Sequence, residues 1–119
     1  MDLAEGHLNI KKEQRGDVLI LYFKGRLDAL SSPPTEQKIF EAVQNGQLKI
    51  ILELSQVNFI CTEAIRVFLS AMKKLKAMDG KLILCAVHTN VLDVFKMSGF
   101  DHLLEMTLTE EEALRKLSA

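Results

Sequence analysis

Hydrophobic and polar positions along the chain fall into blocks of two different periods, and the blocks alternate. Leu8 to Glu13 and Asp17 to Lys24 read as strands on either side of Gln14-Arg15-Gly16, a short Gly-containing connection that predicts a hairpin. Ser31-Ser32-Pro33-Pro34 then stops the strand and opens a helix, because a serine oxygen can accept from the first free N–H groups and proline suits the first helical turn. Ile39, Phe40 and Val43 share one face of that helix, and Gly46 ends it. The run Leu48 to Leu54 is apolar at Leu48, Ile50, Ile51, Leu52 and Leu54, a near-continuous pattern that predicts a strand covered on both faces. Next, Ala64, Ile65, Phe68, Ala71, Met72 and Leu75 recur at spacings of three and four, leaving Arg66, Lys73, Lys74 and Lys76 to water. This helix stops at Asp79-Gly80.

A second buried strand is predicted over Leu82 to Val87, followed by a short helix capped by Thr89 with Val91, Leu92 and Phe95 inward and Gly99 beyond its end. Leu103 to Thr107 reads as the last strand. Thr109-Glu110-Glu111-Glu112 has the spacing of a capping box before Ala113, Leu114 and Leu117, so a terminal helix closes the order ββαβαβαβα. Strands alternating with helices need right-handed crossovers. The predicted class is α/β, a small sandwich with an N-terminal β-hairpin and then alternating helices and strands.

Composition narrows the function. At 119 residues, 48% hydrophobic and 26% charged, the chain fits a single domain over residues 1–119. Lys plus Arg number 15 against 16 Asp plus Glu, so no basic field exists to hold nucleic acid or an anionic membrane, and protein partners or small ligands are expected. The longest apolar runs, such as Val18 to Phe23 and Leu82 to Val87, fall far short of the roughly 20 residues of a membrane span. The start, MDLAEGHLNIKKEQ, lacks a basic segment followed by an apolar one, and the expected location is the cytoplasm. Cys61 and Cys85 have no CxxC spacing and read as reduced, buried thiols.

The most informative chemistry lies where strand gives way to helix, at Cys61-Thr62-Glu63-Ala64. Thr62 reads first as the N-cap of a helix from Glu63 onward, a role that contributes about 1 kcal/mol. The same position favours an added negative charge, since free N–H groups and the helix dipole point at it. A phosphoryl group there would bring about −1.5 to −2 charges onto an exposed helix end. Other chemistries find little support. His7, His88 and His102 are poorly placed to be the base of a serine or cysteine triad and read as surface or loop residues. Cys61 stands beside a helix N-terminus, but Phe59 and Ile60 before it predict a buried strand end, which raises a thiol pKa. Gly25 stands alone, without a dinucleotide fingerprint or Walker spacing, so no cofactor is expected. Glu110, Glu111 and Glu112 point about 100° apart on a helix and do not converge on a metal. No catalytic residue and no metal site are expected.

Four stretches in order resemble the STAS-domain family, in particular bacterial anti-sigma factor antagonists, from about Leu8 to Leu117. They are Gly25-Arg26-Leu27-Asp28, similar to the family's Gly-x-Leu-Asp; the strand from Ile51 to Ile60; Leu82 to Val87 with the later Met97-Ser98-Gly99-Phe100; and the closing segment with Glu111, Glu112 and Ala113. The resemblance implies a STAS-like sandwich with a mixed sheet of about five strands and about four helices. It further implies partner switching. The unphosphorylated domain docks on an anti-sigma factor with an ATPase-type kinase fold and frees a sigma factor, phosphorylation weakens docking, and a PP2C-type phosphatase reverses it. The family's Asp-Ser-Ser/Thr-Gly switch falls on Cys61, Thr62, Glu63 and Ala64, which puts the acceptor at Thr62 although none of the four residues is the usual one. Two versions stay open: a threonine switch with altered partner specificity, or a domain without phospho-regulation in which Glu63 supplies a fixed negative charge. The implied contact surface comprises Asp28, Ala29 and Ser31, the junction Cys61, Thr62, Glu63 and Ala64, and Arg66 on the following helix. From the residues themselves, Asp28 reads as bonding its own loop. The alternative function is a non-phosphorylated STAS scaffold or ligand-binding module in a transport or sensory complex.

Overall fold

The computed structural model describes residues 8–118; His7 lies outside them. Five strands and four helices follow one another as β1 (Leu8–Arg15), β2 (Val18–Leu27), α1 (Ser32–Gln44), β3 (Lys49–Ile60), α2 (Thr62–Ala77), β4 (Lys81–Cys85), α3 (Thr89–Met97), β5 (Glu105–Thr107) and α4 (Glu110–Ser118). The element order is the one predicted. The strands form one sheet in the order β1-β2-β3-β4-β5, with β1 antiparallel to β2 and the other three pairings parallel.

Because each parallel strand is added on the same side of the last, right-handed crossovers lay α1, α2 and α3 on one face of the sheet. Leu19, Leu21, Phe23, Ile50, Leu52, Leu54, Leu82 and Leu84 point into that layer and meet Ile39 and Val43 of α1, Ile65, Phe68 and Leu75 of α2, and Val91 and Phe95 of α3. Phe23 and Phe68 meet edge to face with ring centroids 6.1 Å apart. Residues of the opposite parity, Val18, Ile20, Ile51, Ile83 and Cys85, form a smaller layer against Ala113 and Leu117 of α4. Both faces of β3 are therefore dry over Ile50 to Leu52, as its apolar run predicted, and each fully buried Ile or Leu there contributes about 1.5–3 kcal/mol.

The helix starts differ from expectation at three places. Ser31 is at the N-cap of α1, but its backbone is helical and its side chain makes no cap bond. Thr62 and Thr89 are the first residues of α2 and α3, so the N-caps are Cys61 and His88, and neither side chain caps. The capping box at α4 does form in part: the Glu112 amide donates to Thr109 Oγ1 at 3.2 Å, and that hydroxyl donates to Glu112 Oε1 at 3.2 Å. In the first turn of α4, Glu110 also accepts from Tyr22 Oη at 2.7 Å and pairs with Arg15 at 3.6 Å.

At the end of α2 two neighbouring residues meet different demands. Asp79 takes the left-handed conformation, with φ 60°, whereas Gly80 is needed for space: a Cβ on it would lie 2.4 Å from the Leu48 carbonyl oxygen. Strand lengths differ too. β3 runs on to Ile60, while β4 ends at Cys85 and β5 has only three residues, with Leu103 exposed before it.

Candidate functional site

The ends of β2 and β3 meet above the sheet at the carboxyl ends of the parallel strands, the edge at which open α/β sheets carry their sites. Leu27 pairs with Ile60, and the Cys61 amide donates to the Leu27 carbonyl at 2.8 Å. That bond places the loop after β2 beside the first turn of α2. The loop is tied to itself. Asp28 Oδ1 accepts from the amides of Leu30 and Ser31, both at 3.1 Å, and Ser31 Oγ accepts from the Asp28 amide at 3.0 Å while donating to the Arg26 carbonyl at 2.8 Å. Ser32 Oγ donates to the Asp28 carbonyl at 2.7 Å and approaches Cys61 Sγ at 3.9 Å. Asp28 thus bonds its own loop, as its residue type predicted, and its side chain, rather than that of Ser31, holds N–H groups ahead of α1.

Thr62 is exposed at the first position of α2, a helix of 16 residues with Glu63 in its first turn. The cap residue, Cys61, makes no side-chain cap bond, so the free N–H groups of that turn and the positive end of the dipole remain open to an anion. One helical turn on, Arg66 is exposed, and among the described residues neither it nor Glu63 forms a salt bridge. A shallow groove of about 230 Å³ runs between α1 and α2, lined by Ser32, Pro33, Glu36, Glu63, Arg66 and Val67.

Not every residue of the implied contact surface reaches solvent. Ala29, Thr62, Glu63 and Arg66 are exposed, and Asp28 and Cys61 are half-buried. Ala64 is fully buried and Ser31 is 5% exposed, so neither side chain is open to solvent. Two exposed apolar side chains at this end lie outside the implied contact surface. Leu30 is 69% exposed and Phe59 39%, with the Arg26 guanidinium 4.1 Å above the Phe59 ring. The buried strand end expected at Phe59 and Ile60 holds for Ile60 alone. Only Leu30, a bulky apolar residue in a loop otherwise made of Asp, Ala and Ser, carries a local signal.

The remaining candidates stand apart from this surface. Cys85 is buried, and burial, with smaller effects from Glu53 and Glu110, pushes its thiol up to about 12, the behaviour of an inert core cysteine. His88 hydrogen-bonds the Ser55 carbonyl through Nε2, and His102 lies exposed beside Asp101. No cluster of His, Cys, Asp or Glu among the described residues has metal-site geometry, and none of their helices is long and apolar enough to cross a membrane.

The STAS domain family matches residues 9–113, and the chain belongs to that family. Among curated relatives, an anti-sigma F factor antagonist of Paenibacillus polymyxa is 29% identical over 112 residues, which cover 93% of this chain and 96% of that one. The solved anti-sigma factor antagonist SpoIIAA in its unphosphorylated form is 25% identical and superposes with a TM-score of 0.79 over 92% of this chain and 96% of its own. The phosphorylated form of SpoIIAA, a Bacillus cell fate determinant, is 24% identical, with a TM-score of 0.69 over 91% of this chain and 98% of its own; it adds support for the fold.

Proposed function

We propose that this chain is a cytoplasmic anti-sigma factor antagonist, a binding protein that docks on an anti-sigma factor of ATPase-type kinase fold and thereby frees a sigma factor. The names of its relatives support the class. The observation that carries the reading to particular residues is the exposed Thr62 hydroxyl, uncommitted to capping, at the head of α2 and beside the exposed part of the loop after β2. A phosphoryl group transferred there from ATP would gain from the open first-turn N–H groups while adding charge to a surface that carries the apolar side chains of Leu30 and Phe59. An added charge at an apolar contact opposes docking, and a PP2C-type phosphatase would restore it. Asp28, Ala29, Cys61, Glu63 and Arg66 complete the contact region in this reading, with Ser31 and Ala64 beneath it.

The test is to mix the purified chain with its anti-sigma factor and ATP, measure binding, and locate phosphate by mass spectrometry. Binding with label at Thr62, and loss of label but not of binding in Thr62→Ala, is the expected result. Binding without label would remove the switch and leave Glu63 as a fixed charge; no binding to any ATPase-type anti-sigma factor would remove the antagonist reading.

A further inference from the structure

β3 outruns its neighbour. Its pairing with β4 stops at Glu53 opposite Cys85, yet the strand continues to Ile60 and delivers the chain into Cys61 and Thr62. Beyond Glu53 only β2 pairs with it, and there the register shifts twice. Tyr22 faces Glu53, but Lys24, two residues on, faces Gln56, three residues on; Gly25 faces Val57, but Arg26 faces Phe59. Each shift puts one extra residue into β3, the first within Leu54-Ser55 and the second at Asn58. A bulge bends its strand and leaves the extra residue out of the ladder, so its backbone groups need partners from elsewhere.

The Ser55 amide donates to Glu53 Oε1 of the same strand at 3.1 Å, whereas the two carbonyl partners come from one place. His88 Nε2 donates to the Ser55 carbonyl, and Asn90 Nδ2 donates to the Asn58 carbonyl at 3.1 Å. His88 is the N-cap residue of α3 and Asn90 lies in its first turn. Two side chains at the head of α3 therefore stand where the missing rungs of β4 would be, and each takes the carbonyl of a bulge. The donating nitrogen of His88 carries a proton in the Nε2–H tautomer as well as in the cation, so the contact does not require a charged ring.

We infer that His88 and Asn90 are positioning residues that hold the two bulges of β3 and so set the direction in which the strand presents the Thr62 junction. The functional consequence rests on the reading of Thr62 as the regulated site; the mechanical statement does not. The head of α3 thereby becomes a place from which the junction can be loosened without touching it.

Amide hydrogen exchange on the isolated chain tests this with no partner present, so its failure is distinct from failure of the antagonist reading. In His88→Ala/Asn90→Ala, exchange at Val57, Ile60 and Cys61 is expected to quicken at least tenfold while Ile50 to Leu52 stay at the wild-type rate. His88→Gln, which keeps a donor at similar reach, is expected to remain within about twofold of wild type, a rescue that loss of bulk alone would not predict. Unchanged exchange at the junction in the double variant, equal acceleration over the whole of β3, or a His88→Gln variant as fast as His88→Ala/Asn90→Ala would each overturn the inference.

Discussion

The two halves of β3 are made by different means. From Lys49 to Glu53 the strand has a parallel neighbour on each side, an unbroken register and dry layers on both faces. From Leu54 to Ile60 it has one strand neighbour, two bulges and side chains in place of the second ladder. The first half is held by periodic burial. The second is held by particular hydrogen bonds, and it is the half that ends at the exposed Thr62. A site that must meet a partner needs its side chains out of the core, and bulges achieve this by changing which residues face in.

Substitutions in the two halves should differ accordingly. Leu52→Ala, in the regular half and fully buried, is expected to cost about 2–5 kcal/mol in urea unfolding; a loss no greater than that of Phe59→Ala would break the contrast. Gly80→Ala would drive a Cβ into the Leu48 carbonyl just ahead of the same half and should cost about 1–3 kcal/mol, with the unfolding slope unchanged. Cys85, opposite Glu53, sharpens the point by pH. Its thiol ionises near 9.0 when unfolded and near 12 in the core, so both states bind the proton below 9 and only the folded state keeps it above. Stability should therefore fall as pH rises from about 9 toward 12, a loss that Cys85→Ala removes. In the bulged half, Phe59→Ala should cost only about 0.5–1 kcal/mol, the scale of an exposed cation–aromatic contact, and Arg26→Ala in the same background should add no more than its exposed ion pair with Asp28 contributes, about 0.5 kcal/mol. Thr62→Ala should stay within about 0.5 kcal/mol of wild type, because the cap position belongs to Cys61 and Thr62 is already helical; a loss of about 1 kcal/mol or more would restore the N-cap role.

Much of this was visible along the chain. The two-sided burial of Ile50, Ile51 and Leu52 follows from their being consecutive and apolar, and the face of α2 follows from its spacings. Past Leu54 the code changes. The inward residues become Leu54, Val57 and Ile60, a spacing of three that belongs to neither a flat strand nor a long helix, because each bulge shifts the alternation by one. Phe59, inward by simple reading, is thereby turned to solvent. The strand-to-helix junction falls where the sequence predicts it, with the helix starting one residue earlier than expected: Cys61 is the cap residue and Thr62 the first helical one. The Asp28 bonds to the Leu30 and Ser31 amides follow from residue type because they are local, whereas the burial of Ser31 and Ala64 depends on elements that pack over them.

Order of elements, their type, the amphipathic faces and the place of the strand-to-helix junction were all written in local residue spacing, since partition between water and core acts on each side chain where it stands. Sheet order, the lone position of α4 on the second face, the bulges and the set of side chains left exposed around Thr62 were decided only by the folded chain. Those features depend on which backbone groups remain unpaired after distant segments have come together, and the donors that answer Ser55 and Asn58 lie 33 and 32 residues further along.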